Sequence, residues 1–126
     1  MKRLIICTAL LALLLPVLVG WDTSQPLRNT TERTADARIF QHPKYISSIV
    51  FSTDGTNAVT VDLYDNNKAV AAGRNLIPTT VIPTSATLRS GTINFGKPGM
   101  PVWLGMYLDL TCIGTVSYIV YYYDYN

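Results

Sequence analysis

The chain has 126 residues, 48% of them hydrophobic and 14% charged, with a net charge of +2 and two cysteines. That length fits one domain. Lys2 and Arg3 carry the excess charge, since residues 21–126 hold eight Lys/Arg against eight Asp/Glu, so the clustered cations that nucleic-acid binding requires are lacking.

Residues 1–20 (MKRLIICTALLALLLPVLVG) place two positive charges before an uncharged apolar run over residues 4–20. A basic start, an apolar middle and a small residue at the end are the marks of an export signal, with cleavage expected between Gly20 and Trp21. The same run serves as an uncleaved membrane anchor at the short end of the spanning range, or as an apolar helix buried in an assembly. The first two readings put the remainder outside the cytoplasm. Cys7 lies in this segment, which leaves Cys112 as the only thiol of the remainder. An intrachain disulfide in a processed chain and a two-cysteine metal site are thereby excluded.

Residues 21–38 (WDTSQPLRNTTERTADAR) are polar, rich in threonine and without a helical apolar repeat, which predicts a linker or extended arm. Asn29-Thr30-Thr31 has the form of a glycosylation sequon. The domain proper is predicted over residues 39–126. Residues 46–52 (ISSIVFS) form a first strand, closed by Asp54-Gly55. Val59, Val61 and Leu63 alternate with polar residues and predict a strand with one buried face. Asp65-Asn66-Asn67 then supplies a turn. Residues 76–82 (LIPTTVI) belong at a sheet edge or crossover, because Pro78 and Pro83 lack ladder donors.

Residues 86–95 give another strand with a bulge or bend at Ser90-Gly91, and residues 96–101 (GKPGMP) a loop. Residues 106–112 alternate again, with Met106, Leu108, Leu110 and Cys112 on one side. Ile113-Gly114 is predicted to turn a tight hairpin into residues 115–125 (TVSYIVYYYDY), the longest strand. Six to eight short strands with regular turn signals predict an all-β antiparallel sandwich, either a jelly roll or an immunoglobulin-like Greek key.

Catalytic equipment is sparse. His42 is the one histidine and has no flanking serine or cysteine elbow to activate. Asp62 and Asp109 fall on polar strand faces and are able to meet, but solvating a sheet face accounts for them. The Asp54, Asp65, Asn66 and Asn67 oxygens lack the ligand spacing of a calcium loop. No catalytic residue, cofactor or metal ligand is therefore expected.

The tyrosines stand out, with six of eight between residues 107 and 125. By alternation Tyr118 and Tyr122 share a face with Val116 and Val120, while Tyr121, Tyr123 and Tyr125 share the other with Ile119. Both faces of the last strand are aromatic, so it lies between layers or meets a partner. Tyrosine's large rigid area and polar tip suit interfaces and sugar stacking. The candidate interaction residues are Tyr107, Tyr118, Tyr121, Tyr122, Tyr123 and Tyr125, with Trp103.

Residues 46–123 resemble a family of small β-sandwich proteins of bacteriophage virions, of the capsid decoration, cement or head-fibre type. The pieces carrying the resemblance are Ile46-Ser47-Ser48-Ile49-Val50-Phe51, Gly55-Thr56-Asn57-Ala58 with VTVDLYD after it, Leu76-Ile77-Pro78, Ile93-Asn94-Phe95, Gly105-Met106-Tyr107-Leu108-Asp109-Leu110, and Gly114 through Tyr122. The resemblance implies a non-enzymatic, oligomeric structural role on a particle surface. The expected partners are further copies of the chain or other virion or surface proteins, with membrane contact through residues 4–20. The alternative is a secreted module that binds carbohydrate or mediates adhesion, stacking a glycan on Trp103, Tyr107 and Tyr123.

Overall fold

The computed structural model describes residues 25–56 and 58–125. The predicted signal, anchor or apolar helix of residues 1–20 lies outside the described residues. Ten strands are present among the described residues: β1 (Arg28–Asn29), β2 (Ala37–Phe40), β3 (Lys44–Thr53), β4 (Val59–Asp65), β5 (Arg74–Asn75), β6 (Thr80–Ile82), β7 (Ser90–Asn94), β8 (Met100–Val102), β9 (Met106–Thr111) and β10 (Val116–Asp124). No helix occurs among the described residues.

The strands form two antiparallel sheets. One runs β1-β10-β3-β7, with β8 also on β3; the other runs β2-β9-β4-β5, with β6 also on β4. The chain changes sheet at six of its nine steps, because each apolar strand face must be covered by the opposite layer. Alternation of buried and half-buried residues over Val59–Asp65 sends Val59, Val61 and Leu63 inward. They meet Ile46, Ile49, Phe51, Val116, Tyr118 and Val120 from the other sheet in one core, completed by Val102, Met106 and Leu108.

Three sequence expectations change. Of the segment read as a linker or arm over residues 21–38, the described part, from residue 25 on, is extended and supplies β1 to one sheet and the start of β2 to the other. Its polarity reflects an edge position, where one side of the backbone pairs and the side chains stay in water. Ile113-Gly114 does not turn a hairpin, because β9 and β10 belong to different sheets. Gly114, at φ +126° and close against the Asp54 carboxylate, turns a crossing between layers. The predicted loop of residues 96–101 ends early, since Met100–Val102 pairs with β3 as an edge strand. Pro101 is tolerated there because an edge strand leaves one side unbonded.

A bulge shapes β3. Tyr121 pairs with Ser48 but Tyr122 pairs with Ile46, so Ser47 is the extra residue. It lets Ile46 and Ile49, three apart, both point inward, and it turns Tyr45 outward.

Candidate functional site

The aromatic side chains divide by strand parity. On the inward face of β10, Tyr118 is 1% exposed and its ring lies 6.0 Å from that of Phe51. Its hydroxyl donates to the Ala35 carbonyl at 2.9 Å, and burial pushes its pKa up to about 12. Tyr122 packs on Phe40 with centroids 4.6 Å apart, and the Lys44 ammonium lies 5.5 Å from its ring centre. These two candidates serve the core and its rim. Tyr118 offers no surface to a partner, because its parity matches Val116 and Val120.

The outward face carries Ile119, Tyr121 and Tyr123, all half-buried, with Tyr125 just beyond the strand at 42% exposure. Cross-strand register adds residues from elsewhere. Tyr45 pairs with Tyr123 on one side and Pro101 on the other, and Val50 pairs with Ile119. The Tyr45 ring stacks on Tyr125 at 5.2 Å and 22°, and Trp103 meets Tyr125 edge-on at 5.5 Å and 70°. Tyr45, Tyr125 and Trp103 thus form a cluster at one end of an aromatic stripe that continues along β10. Such stacked and edge-to-face pairs hold each ring in place at little cost in entropy on binding.

Trp103 is presented by a built support. Asp65, buried at the end of β4, accepts the Trp103 N–H at 3.1 Å and the Leu104 N–H at 2.8 Å through Oδ1. Its Oδ2 pairs with Arg74 at 3.0 Å. The neighbouring buried Asn66 donates to the Val70 and Ala72 carbonyls and accepts from the Lys68 N–H, which closes the following loop. The Oδ1 atoms of Asp65 and Asn66 are thus engaged with backbone N–H groups, and Asp65 Oδ2 with the Arg74 guanidinium. Trp103 at 48% and Leu104 at 57% exposure are held out from the sandwich.

The Asp124 carboxylate joins Lys44 and, at 3.0 Å, Arg28 at the rim of the same sheet. The hydrogen bond from Lys44, with the charges of Lys44 and Arg28, holds it below the ordinary carboxylate range.

Tyr107 is separated from the other candidates. It lies on β9 in the second sheet, paired with Tyr64 and Arg38. Burial, with Asp36 and Asp109 nearby, raises its pKa. The same surface brings Asp62 and Asp109 directly opposite one another, flanked by Asp36. They oppose each other across adjacent strands of one sheet, whereas glycosidase carboxylates face each other across a substrate cleft. His42 is exposed in the bend between β2 and β3. Among the described residues no group of three His, Cys, Asp or Glu side chains is arranged to hold a metal ion. Cys112 is a free, half-buried thiol packed against the core.

Sequence reasoning missed Tyr45. Its only signal is a tyrosine preceding an apolar run, and its outward direction depends on the Ser47 bulge. The chain matches no protein-family model, and comparison with curated proteins gives no significant relative.

Proposed function

We propose that this protein is a non-enzymatic structural or attachment module of a virion or cell surface, assembling through the aromatic outer face of the sheet containing β10. The carrying observation is the cluster of Tyr45, Tyr125 and Trp103 continuous with Tyr123 and Tyr121. A nine-residue β10 in a four-strand layer gives a face about 30 Å long and about 15 Å wide, roughly 500 Å² in plan. With side-chain relief that approaches the ~800 Å² per partner of an ordinary stable interface. Aromatic residues are the type enriched at the centres of such interfaces.

The strand order supports the jelly-roll alternative over the immunoglobulin-like one. With β5/β6 and β7/β8 each counted as one broken strand, the sheets read first-eighth-third-sixth and second-seventh-fourth-fifth. Successive strands then alternate between layers, apart from the step from fourth to fifth. Jelly rolls recur in viral capsid and lectin domains. The resemblance to phage virion proteins agrees with the first of these by analogy. The basic-then-apolar run at residues 1–20 supports a position outside the cytoplasm or on a particle surface, reached by export or membrane anchoring.

The test is sedimentation of the wild type against Tyr121→Ser with Tyr123→Ser. The double variant is expected to form a smaller assembly while its far-ultraviolet β signal is unchanged. A monomeric wild type, or an unaltered assembly in the variant, overturns the reading.

The support under Trp103 favours a second reading as a carbohydrate-binding module. An indole and a tyrosine fixed at the surface are what a sugar ring stacks on. That reading requires saturable binding to a glycan on an array and its loss in Trp103→Ala; a blank array overturns it.

A further inference from the structure

Within residues 25–36, residues 28–33 lie along the outer edge of β10. Arg28 and Asn29 pair with Tyr122 and Tyr121. Beyond them the Thr30 N–H donates to the Val120 carbonyl at 3.0 Å, and the Val120 N–H donates to the Thr30 hydroxyl at 3.1 Å. Arg33 and Tyr118 exchange two backbone bonds of 3.0 and 2.8 Å. The segment buries little in return. Residues 26–36 are all exposed except the half-buried Thr30 and Arg33. The Arg33 Nε is buried without a hydrogen-bond partner, which weakens the hold further. The segment is fastened by backbone bonds, by the Thr30 hydroxyl, by the Tyr118 hydroxyl on the Ala35 carbonyl, by the Asp36 carboxylate accepting the Leu110 N–H, and by the part-exposed ion pair of Arg28 with Asp124. All of these are polar, with almost no apolar burial, which places the segment in the part of a fold that opens most easily.

What it covers is the reverse. With the segment lifted, β10 presents an unpaired row of N–H and C=O groups, the sheet edge that recruits another strand. The strand complementary in sequence and length to that edge is the same segment of another copy.

The hinge is short. Arg33 is bonded to β10 in one sheet and Ala37 to β9 in the other. Four residue steps reach at most about 13 Å, against a separation of about 10 Å between packed sheets. A nearly taut link of this kind is the feature that invites exchange of an element between protomers.

We propose that residues 25–36 exchange between two copies of the chain, each laying its β1 along the partner's β10. Closure within one chain competes with an effective concentration on the order of millimolar. Exchange therefore prevails in concentrated solution or where copies are held side by side. It uses the edge of the sheet, and so stands or falls independently of assembly through the aromatic face.

The experiment uses the full chain with Cys7→Ala and Cys112→Ala. One preparation carries Asn29→Cys and the other Tyr121→Cys. The Thr30–Val120 bond makes 29 and 121 a non-hydrogen-bonded pair, in which side chains approach most closely. The two are mixed, refolded together at about 1 mM and oxidised. Exchange gives at least tenfold more disulfide heterodimer than a control mixture of Asn29→Cys with Thr92→Cys, which lies on β7 at the far side of the same face. Equal yields overturn the proposal, and so does heterodimer formed only through the control pair. As a second measurement, Thr34 and Ala35 are deleted in both preparations. The link then reaches only about 7 Å and cannot close within one chain. Heterodimer is expected to form even at micromolar concentration; a folded deletion variant with no heterodimer overturns the proposal.

Discussion

Asp62 and Asp109 sit opposite each other on β4 and β9, with Asp36 close enough to hydrogen-bond Asp109 and also accept the Leu110 N–H at 2.8 Å. Burial, then the charge of Asp36, raises the Asp109 pKa above the ordinary value of 3.8. The folded protein thus keeps this proton to higher pH than the unfolded chain does. The resulting penalty is present above the raised pKa and vanishes below the unfolded value. Like charges placed directly opposite in a sheet cost about 0.2–1 kcal/mol. Asp109→Asn is therefore expected to stabilise the protein at pH 7, by roughly 0.5 kcal/mol. The gain should shrink as pH falls through the carboxylate range, which denaturant melts at neutral and acid pH measure. A loss at pH 7, or a gain undiminished in acid, contradicts this account. Asp124 and Asp54 work in the opposite sense. Lys44 depresses the first, and the Thr56 and Thr115 N–H groups depress the second. Their contributions are present above the ordinary value and are lost as pH falls through the lowered ones.

At the level of strands, legibility follows what side-chain alternation encodes. Val59, Val61 and Leu63 announced β4, and Tyr118 against Tyr121 announced two faces of β10, because burial on one side writes a period of two into any sequence. Alternation does not say which strand lies alongside. Whether the turn at Ile113-Gly114 makes a hairpin or a crossing leaves the same apolar residues inward. The difference lies in long-range bonds such as Asp54 accepting the Thr115 N–H at 3.0 Å. Edge strands hide for a related reason. β1 and β8 pair on one side; β1 keeps exposed polar residues and β8 is a three-residue strand interrupted by Pro101, so they read as arm and loop. The aromatic cluster was half visible: Trp103 and Tyr125 stood out by type. Tyr45 reaches them through register across β3 and β10, displaced by a single extra serine. Asp65 read as a turn residue, whereas its main role, fixing the Trp103 and Leu104 backbone, spans 38 and 39 positions of chain.

Two layers make one molecule only where their inner faces fit, and at one end that fit requires a residue without a side chain. Gly91 on β7 faces Ile82 on β6 across the core, so closely that an added methyl group would overlap the Ile82 Cγ2. No left-handed backbone angle is involved at Gly91, so the demand for glycine is steric alone. A glycine inside a strand pattern predicts a bulge or bend, yet Gly91 continues an unbroken ladder opposite Phe51. Absence of a side chain lets the second sheet approach β7 at the point where β6, only three residues long, covers that end of the core. Overfilling a packed interior costs about 1–3 kcal/mol. Gly91→Ala is expected to fall in that range, and Ile82→Ala to cost about 2–5 kcal/mol from its emptied site. Together they should cost less than the sum, since the alanine methyl of residue 91 occupies space that Ile82 vacates. A double-mutant cycle by urea unfolding is expected to return a favourable coupling of about 1 kcal/mol. Strict additivity would mean that the methyl group does not meet Ile82 in the folded protein, and that close approach at Gly91 does not set the spacing of the layers.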